Sequence, residues 1–167
     1  MTIQHAWQQP SFILDTWEDI CRDFRQLCDC VPGIVCFSTK SDRGPEISDD
    51  RIVFNGKKGS HRQPMCLTRD RDHEKSRLVC ETHGLPYDSF ATALLLIVYR
   101  HTHKLLNDFN SASQFGMPFI VTSTAPWSGW ALGNGHGIPG GVHLVREVLD
   151  YPPAFIIDFH RRFFRDG

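Results

Sequence analysis

At 167 residues, 41% of them apolar, the chain is long enough to bury roughly 70% of its unfolded surface around one core, and too apolar for a disordered protein. Eighteen basic against 19 acidic side chains leave a formal charge of -1. That argues against a general nucleic-acid binder, which presents a basic face, and against a polyanionic mimic of DNA. The longest apolar run, Ala93 to Tyr99, is too short to span a bilayer, so no membrane association is expected. The N-terminus lacks the basic start and apolar run of a secretory leader. With six cysteines, these features point to a cytoplasmic protein with free thiols.

Residues 1–14 read as a flexible tail with an apolar end, Phe12-Ile13-Leu14. The stretch Asp15 to Cys30 predicts an amphipathic helix, because Trp17, Ile20, Cys21, Phe24, Leu27 and Cys28 recur at helical spacing. Asp15 or Thr16 stands where a cap is wanted, and Glu18 and Asp19 suit the positive end of the helix. Cys21 and Cys28 lie on the apolar stripe, so packing explains them. Pro32-Gly33 ends the helix. Ile34 to Thr39 reads as a buried strand, Ser41 to Asp50 as a loop, and Arg51 to Asn55 as a second strand running into an Asn55-Gly56 turn. Pro64 to Thr68 gives a third strand, Arg69 to Ser76 a charged loop, and Leu78 to Thr82 a fourth strand.

Gly84-Leu85-Pro86 breaks the chain again. Asp88 or Ser89 then caps a helix running to about Asn107. Phe90, Ala93, Leu94, Ile97, Val98, His101 and Leu105 mark one face, and Leu95, Leu96 and Tyr99 lie off it. A helix apolar most of the way round is central. Phe119 to Thr124 reads as a fifth strand, Pro126 to Gly141 as an irregular Gly- and Trp-rich loop, and Val142 to Leu149 as a short helix. The segment from Ala154 to Phe164 is apolar enough to dock, as strand or as helix. The sum is one α+β domain over residues 1–167: a small, mostly antiparallel sheet of four to six short strands, packed on a long central helix and an N-terminal amphipathic helix.

Several constellations carry potential chemistry. Cys80-x-x-His83 has the spacing of metal ligands, and Cys66 or His61 on a neighbouring strand would extend it toward a tetrahedral zinc site. No second paired motif supplies the other half, so no cofactor is expected and zinc at Cys66, Cys80 and His83 is the alternative. A nucleophilic Cys80, activated by His83 and oriented by Asp88, is a second arrangement. The strand's alternation sets Cys80 on the core face with Leu78, which speaks for an inert thiol. Gly135-His136-Gly137-Ile138-Pro139-Gly140 fits G-x-G-x-x-G. Its strand ends ten residues too early, however, and Pro139 removes a donor that a phosphate loop would use. His101 and His103 do not face one way on a helix, so they are no ligand pair. Trp127, Trp130 and His136 form the best recognition candidate, since loop tryptophans offer large amphipathic contacts.

Arg51-Ile-Val-Phe-Asn55-Gly56, Leu78-Val-Cys80-Glu-Thr82, Pro86-Tyr87-Asp88 and the alanine- and leucine-rich helix after it resemble a group of small proteins of bacteria, phages and mobile elements. In that group a Phe-Asn-Gly turn precedes a Phe-Cys-Lys-Thr strand and a Lys-Pro-Tyr-Asp helix start. A later Ser-Asp-Gly and Trp segment resembles Thr122-Ser123-Thr124 and Trp127 to Leu132. The match spans about Arg51 to Leu132. Glu81, Leu85 and Thr124-Ala125 depart from its charged positions. The resemblance implies no activity. It implies a mobile-element context and a spatial cluster of Asn55, Thr82, Tyr87 and Asp88. Asp88 would cap the helix, Tyr87 cover the turn and Asn55 hold a left-handed conformation. The functional expectation is a non-enzymatic protein that docks onto a host protein, as an inhibitor of host defence, with the two tryptophans replaceable at no cost to the fold. The rival is a small Cys/His enzyme or zinc protein at Cys80 and His83.

Overall fold

The computed structural model describes residues 2–38, 43–70, 77–106 and 119–164. The fold is α+β: two small antiparallel sheets and five helices among the described residues. Strand β1 (Gln4–Gln8) comes first, followed by helix α1 (Leu14–Cys30). Strands β2 (Val35–Cys36), β3 (Glu46–Ile47), β4 (Arg51–Gly56), β5 (Met65–Thr68) and β6 (Leu78–Glu81) follow. The rest is helix α2 (Asp88–Leu106), strand β7 (Ile120–Ser123), and helices α3 (Trp127–Leu132), α4 (Gly141–Glu147) and α5 (Pro153–Phe163).

The expected strands are present but divide between two sheets. In one, β4 is central and pairs antiparallel with β2, β3 and β5. The other has the order β6-β1-β7. Its middle strand lies in the segment expected to be a tail. That segment is structured because alternate residues of β1 face the helices: Ile3, His5 and Trp7 are 6%, 0% and 1% exposed. Register pairs His5 with Cys80 on one side and with Ser123 on the other. Cys80 and Ser123 therefore share the inner face with His5, while Gln4, Gln8, Val79 and Thr122 point outward.

Helix α2 is the axis of the core. From Phe90 to Tyr99 every residue is buried. Helix α1 lays the predicted stripe against it. Phe24 stacks on Phe54 of β4 at 5.1 Å and meets Phe90 edge-on at 6.5 Å, so one side chain joins helix, sheet and axis. The start of α1 departs from expectation. Its first flanking residue is Ile13, with no side-chain cap, and Thr16 is buried. Helix α4 approaches α2 at Gly141, where a Cβ would stand 2.3 Å from Thr92 Oγ1. The segment left open between strand and helix is helix α5, with Pro153 in its first turn, where a missing N–H costs nothing. The expected irregular loop contains helix α3, which the period of the sequence is too short to announce. Most of the predicted charged loop, 71–76, lies outside the described residues.

Two histidines of α2 tie it to its neighbours. His101 Nε2 lies 2.7 Å from Asp23 Oδ2 on α1, and Tyr151 donates to the same oxygen at 2.6 Å. Asp158 of α5 accepts from Tyr99 at 2.5 Å, with His103 Nε2 3.4 Å away. Each imidazole thus serves a carboxylate on a different helix. Burial alone would raise the Asp23 carboxyl, but the hydrogen bonds from His101 and Tyr151, with the nearby positive charge of Arg22, outweigh it and hold the group below its ordinary range. A carboxyl depressed in the folded state stabilises above its unfolded pKa and loses that contribution as pH falls through the folded value. We therefore expect Asp23→Asn to be less stable than the parent at pH 6, and the difference to shrink as pH falls below about 4. Denaturant titrations at both pH values check this.

Candidate functional site

The densest polar cluster lies under the three-stranded sheet, at the head of α2. After Glu81 the chain turns sharply through His83 and Gly84, both at positive φ (55° and 70°). A Cβ at Gly84 would stand 2.9 Å from Ile3 Cδ1, so the turn needs glycine for space as well as for conformation. The turn brings Thr82 back onto Asp88, in the first turn of α2, and the Thr82 hydroxyl donates to Asp88 Oδ1. His5 Nε2 lies 2.6 Å from the same oxygen, and Asn134 Nδ2 donates to Oδ2 at 2.9 Å. The carboxylate is 1% exposed and His5 is 0% exposed. A buried carboxylate is tolerable only when its lone pairs are used. Here three donors and the positive end of α2 do that.

The chain of bonds continues through His5 to Ser123 at the end of β7, whose Oγ is 2.9 Å from His5 Nδ1. Ser123 Oγ also accepts from the Ala125 amide at 3.1 Å and from Trp130 Nε1 at 3.2 Å. Those two donors occupy both lone pairs, so the hydroxyl proton goes to His5 Nδ1. The His5 proton is then on Nε2, donated to Asp88. Ser123, His5 and Asp88 thus stand in the order of nucleophile, base and carboxylate of an acyl-transfer relay. His5 and Asp88 are closed to water, whereas Ser123 is half-buried, borders a depression of about 110 Å³ and has its oxygen fully bonded. Attack by Ser123 Oγ would require the loss of an amide or indole bond, within a cluster whose base and carboxylate are buried.

The expected site residues divide around this cluster. Thr82 and Asp88 are in it. Asp88 turns its carboxylate to His5, Thr82 and Asn134 instead of capping α2. Tyr87 donates to the Gln63 carbonyl at 2.8 Å, and its ring faces Gly56, where a Cβ would stand 2.8 Å away. Burial pushes its hydroxyl well above the ordinary tyrosine range. Asn55 is near but separate, and it is not left-handed. It lies in β4, accepts from the Gly56 amide at 2.7 Å and donates to the Arg62 carbonyl at 3.0 Å. The turn itself is set by Gly59, at φ 89°.

The Cys80 and His83 pair does not form. Cys80 is fully buried, its thiol contacts the Gln63 carbonyl at 3.6 Å, and burial pushes its pKa up to about 12. His83 points away, with Nε2 2.6 Å from Glu81 Oε1. Among the described residues no three His, Cys, Asp or Glu side chains gather as a metal site requires, so Cys66, Cys80 and His83 are not a ligand set. No disulfide joins any of the six cysteines among the described residues.

The aromatic loop also differs from its reading. Trp130 is 0% exposed, packed on Phe159 at 5.4 Å and bonded to Ser123. Trp127 is half-buried against His160 at 4.6 Å. Only His136 of the three stands in solvent. The glycines around it build a closure in place of a phosphate cradle. Gly133, at φ 91°, lets the chain fold back onto Ile138, and Asn134 reaches down to Asp88. His5, Ser123 and Asn134 escaped the sequence reading, since their meeting is set by sheet register. No protein-family model, curated protein or solved structure matches the chain.

Two outcomes check this geometry. His5→Ala should destabilise the fold by about 3–5 kcal/mol, because it leaves the Asp88 carboxylate buried with one donor fewer; equilibrium unfolding measures it. Iodoacetamide at pH 8 should alkylate exposed Cys30 and leave Cys80 unmodified until the protein is unfolded, as read by peptide mass spectrometry.

Proposed function

We propose that the chain is a non-enzymatic binding protein that acts by docking onto a protein partner. The observation that carries this reading is a sheet face with exposed apolar side chains that no described element covers. Val79 and Ile120, on the outward side of the β6-β1-β7 sheet, are 38% and 42% exposed. Side chains of this kind on an open sheet mark contact surfaces. The groups with chemical potential favour the same reading by their burial: the Cys80 thiol is enclosed and raised to about 12, and the Ser123 oxygen is fully bonded. Docking thus moves from the aromatic loop to the sheet.

The resemblance to proteins of phages and mobile elements supplies the context for the partner, a host protein whose defence function would be blocked by occupation. Cysteines outside any disulfide fit a cytoplasmic setting. Among the described residues no helix is long and apolar enough to cross a membrane.

The test is chemical cross-linking in cells followed by quantitative mass spectrometry, comparing the parent with a Val79→Glu, Ile120→Glu variant. A partner linked to the parent and lost from the folded variant is expected; equal recovery from both contradicts the reading. Trp130→Ala serves as the contrast. It should cost about 3–5 kcal/mol of stability, because it empties a core position instead of a contact surface.

A further inference from the structure

We propose that the occupant of this sheet face is an extended, acidic segment of the partner protein, held by Arg77. The proposal rests on the binding reading above and names the chemistry of that surface. Three depressions, of about 110, 190 and 570 Å³, lie on the outer side of the sheet, and Arg77 lines all three. Arg77 borders each of them, and between them they adjoin residues of β7, β1, β6 and β5, a surface here called the trough. Its floor is built from short and β-branched side chains, among them Ala6, Thr122 and Val79. Such a surface accepts the alternating side chains of a strand.

Among the described residues Arg77 is the one charged side chain that lines the three depressions, and no Asp or Glu lines them. Arg77 is exposed and has no hydrogen-bond or ion-pair partner among the described residues. The nearest outward acid on its own strand, Glu81, is engaged with His83 at 2.6 Å. A guanidinium without a partner among the described residues, set amid apolar, hydroxyl and glutamine amide groups, selects a carboxylate, which it binds through two parallel N–H donors. One cation over an apolar floor does not suit a polyphosphate backbone, which needs a field of basic groups. The same arrangement fits a peptide in which an Asp or Glu is flanked by apolar residues.

The test uses random dodecapeptides displayed on phage and panned against the full chain. Enriched peptides are then titrated by fluorescence anisotropy. We expect enrichment of an acidic residue between apolar ones. Arg77→Glu should weaken binding by about tenfold or more, and exchanging the peptide's acid for lysine should restore binding to that variant. Arg77 has no partner to lose, so the variant should fold, which its melting curve verifies. Enriched peptides without an acid, no enrichment at all, or binding unchanged by Arg77→Glu would each overturn the proposal. Peptides that bind equally to parent and variant would sink the Arg77 trough and leave the binding reading standing. Loss of cross-linking contrast in the preceding experiment would sink both.

Discussion

The structure depends on one buried charge. Asp88 stands at the head of the central helix with its carboxylate closed to water, and four separate parts of the chain meet to satisfy it. His5 comes from the central strand, Thr82 from the turn after β6, Asn134 from the loop after α3, and the helix contributes its own dipole. Loss of any donor leaves a carboxylate short of partners in a low-dielectric interior, so these parts are bound to one arrangement. The three-stranded sheet is pinned to α2 by this requirement as much as by Trp7 and the apolar face of the helix.

The same requirement explains why a serine, a histidine and an aspartate in series need not react. A catalytic relay keeps its nucleophile open on the side where substrate arrives. Here Trp130 and the Ala125 amide hold that side. The series works as a brace, linking β7 through β1 to the helix. With the interior committed to structure, the outward face of the same sheet is where the proposed recognition would fall. The two faces differ: buried polar groups line the inner one, and among the described residues Arg77 is the one charged side chain lining the depressions of the outer one.

Much of the scaffold was legible in the chain. Helix α1 is spelled by the spacing of Trp17, Ile20, Phe24 and Leu27, and α2 by its apolar surround. Strands β4, β5, β6 and β7 are short runs bounded by turn residues. Strand β1 was not legible, because a histidine occupies a core-facing position and glutamines flank it, so the alternation reads as polar. Helix α3 spans six residues, fewer than two turns, which leaves no period to detect. Asp88 was singled out from local pattern, as a helix cap, and Thr82 by the resemblance alone. Their partners His5, Ser123 and Asn134 lie 83, 118 and 46 residues away along the connecting bonds, and only strand register brings them together. Trp130 was misplaced for the same reason: its burial comes from Phe159 and Ser123, neither adjacent in sequence. Nor could composition distinguish Arg77 from the other exposed arginines, because its isolation is a property of the surface around it.

The central claim is that the Ser123–His5–Asp88 series is structural, with His5 and Asp88 closed to water, and the state of the His5 ring tests it most directly. Nitrogen-15 NMR of selectively labelled histidine at neutral pH should show His5 with one proton, on Nε2, protected from exchange with solvent. A His5 ring exchanging freely with water would contradict the account and reopen Ser123 as a reacting group, and one carrying its proton on Nδ1 would contradict the bonding assigned to Ser123.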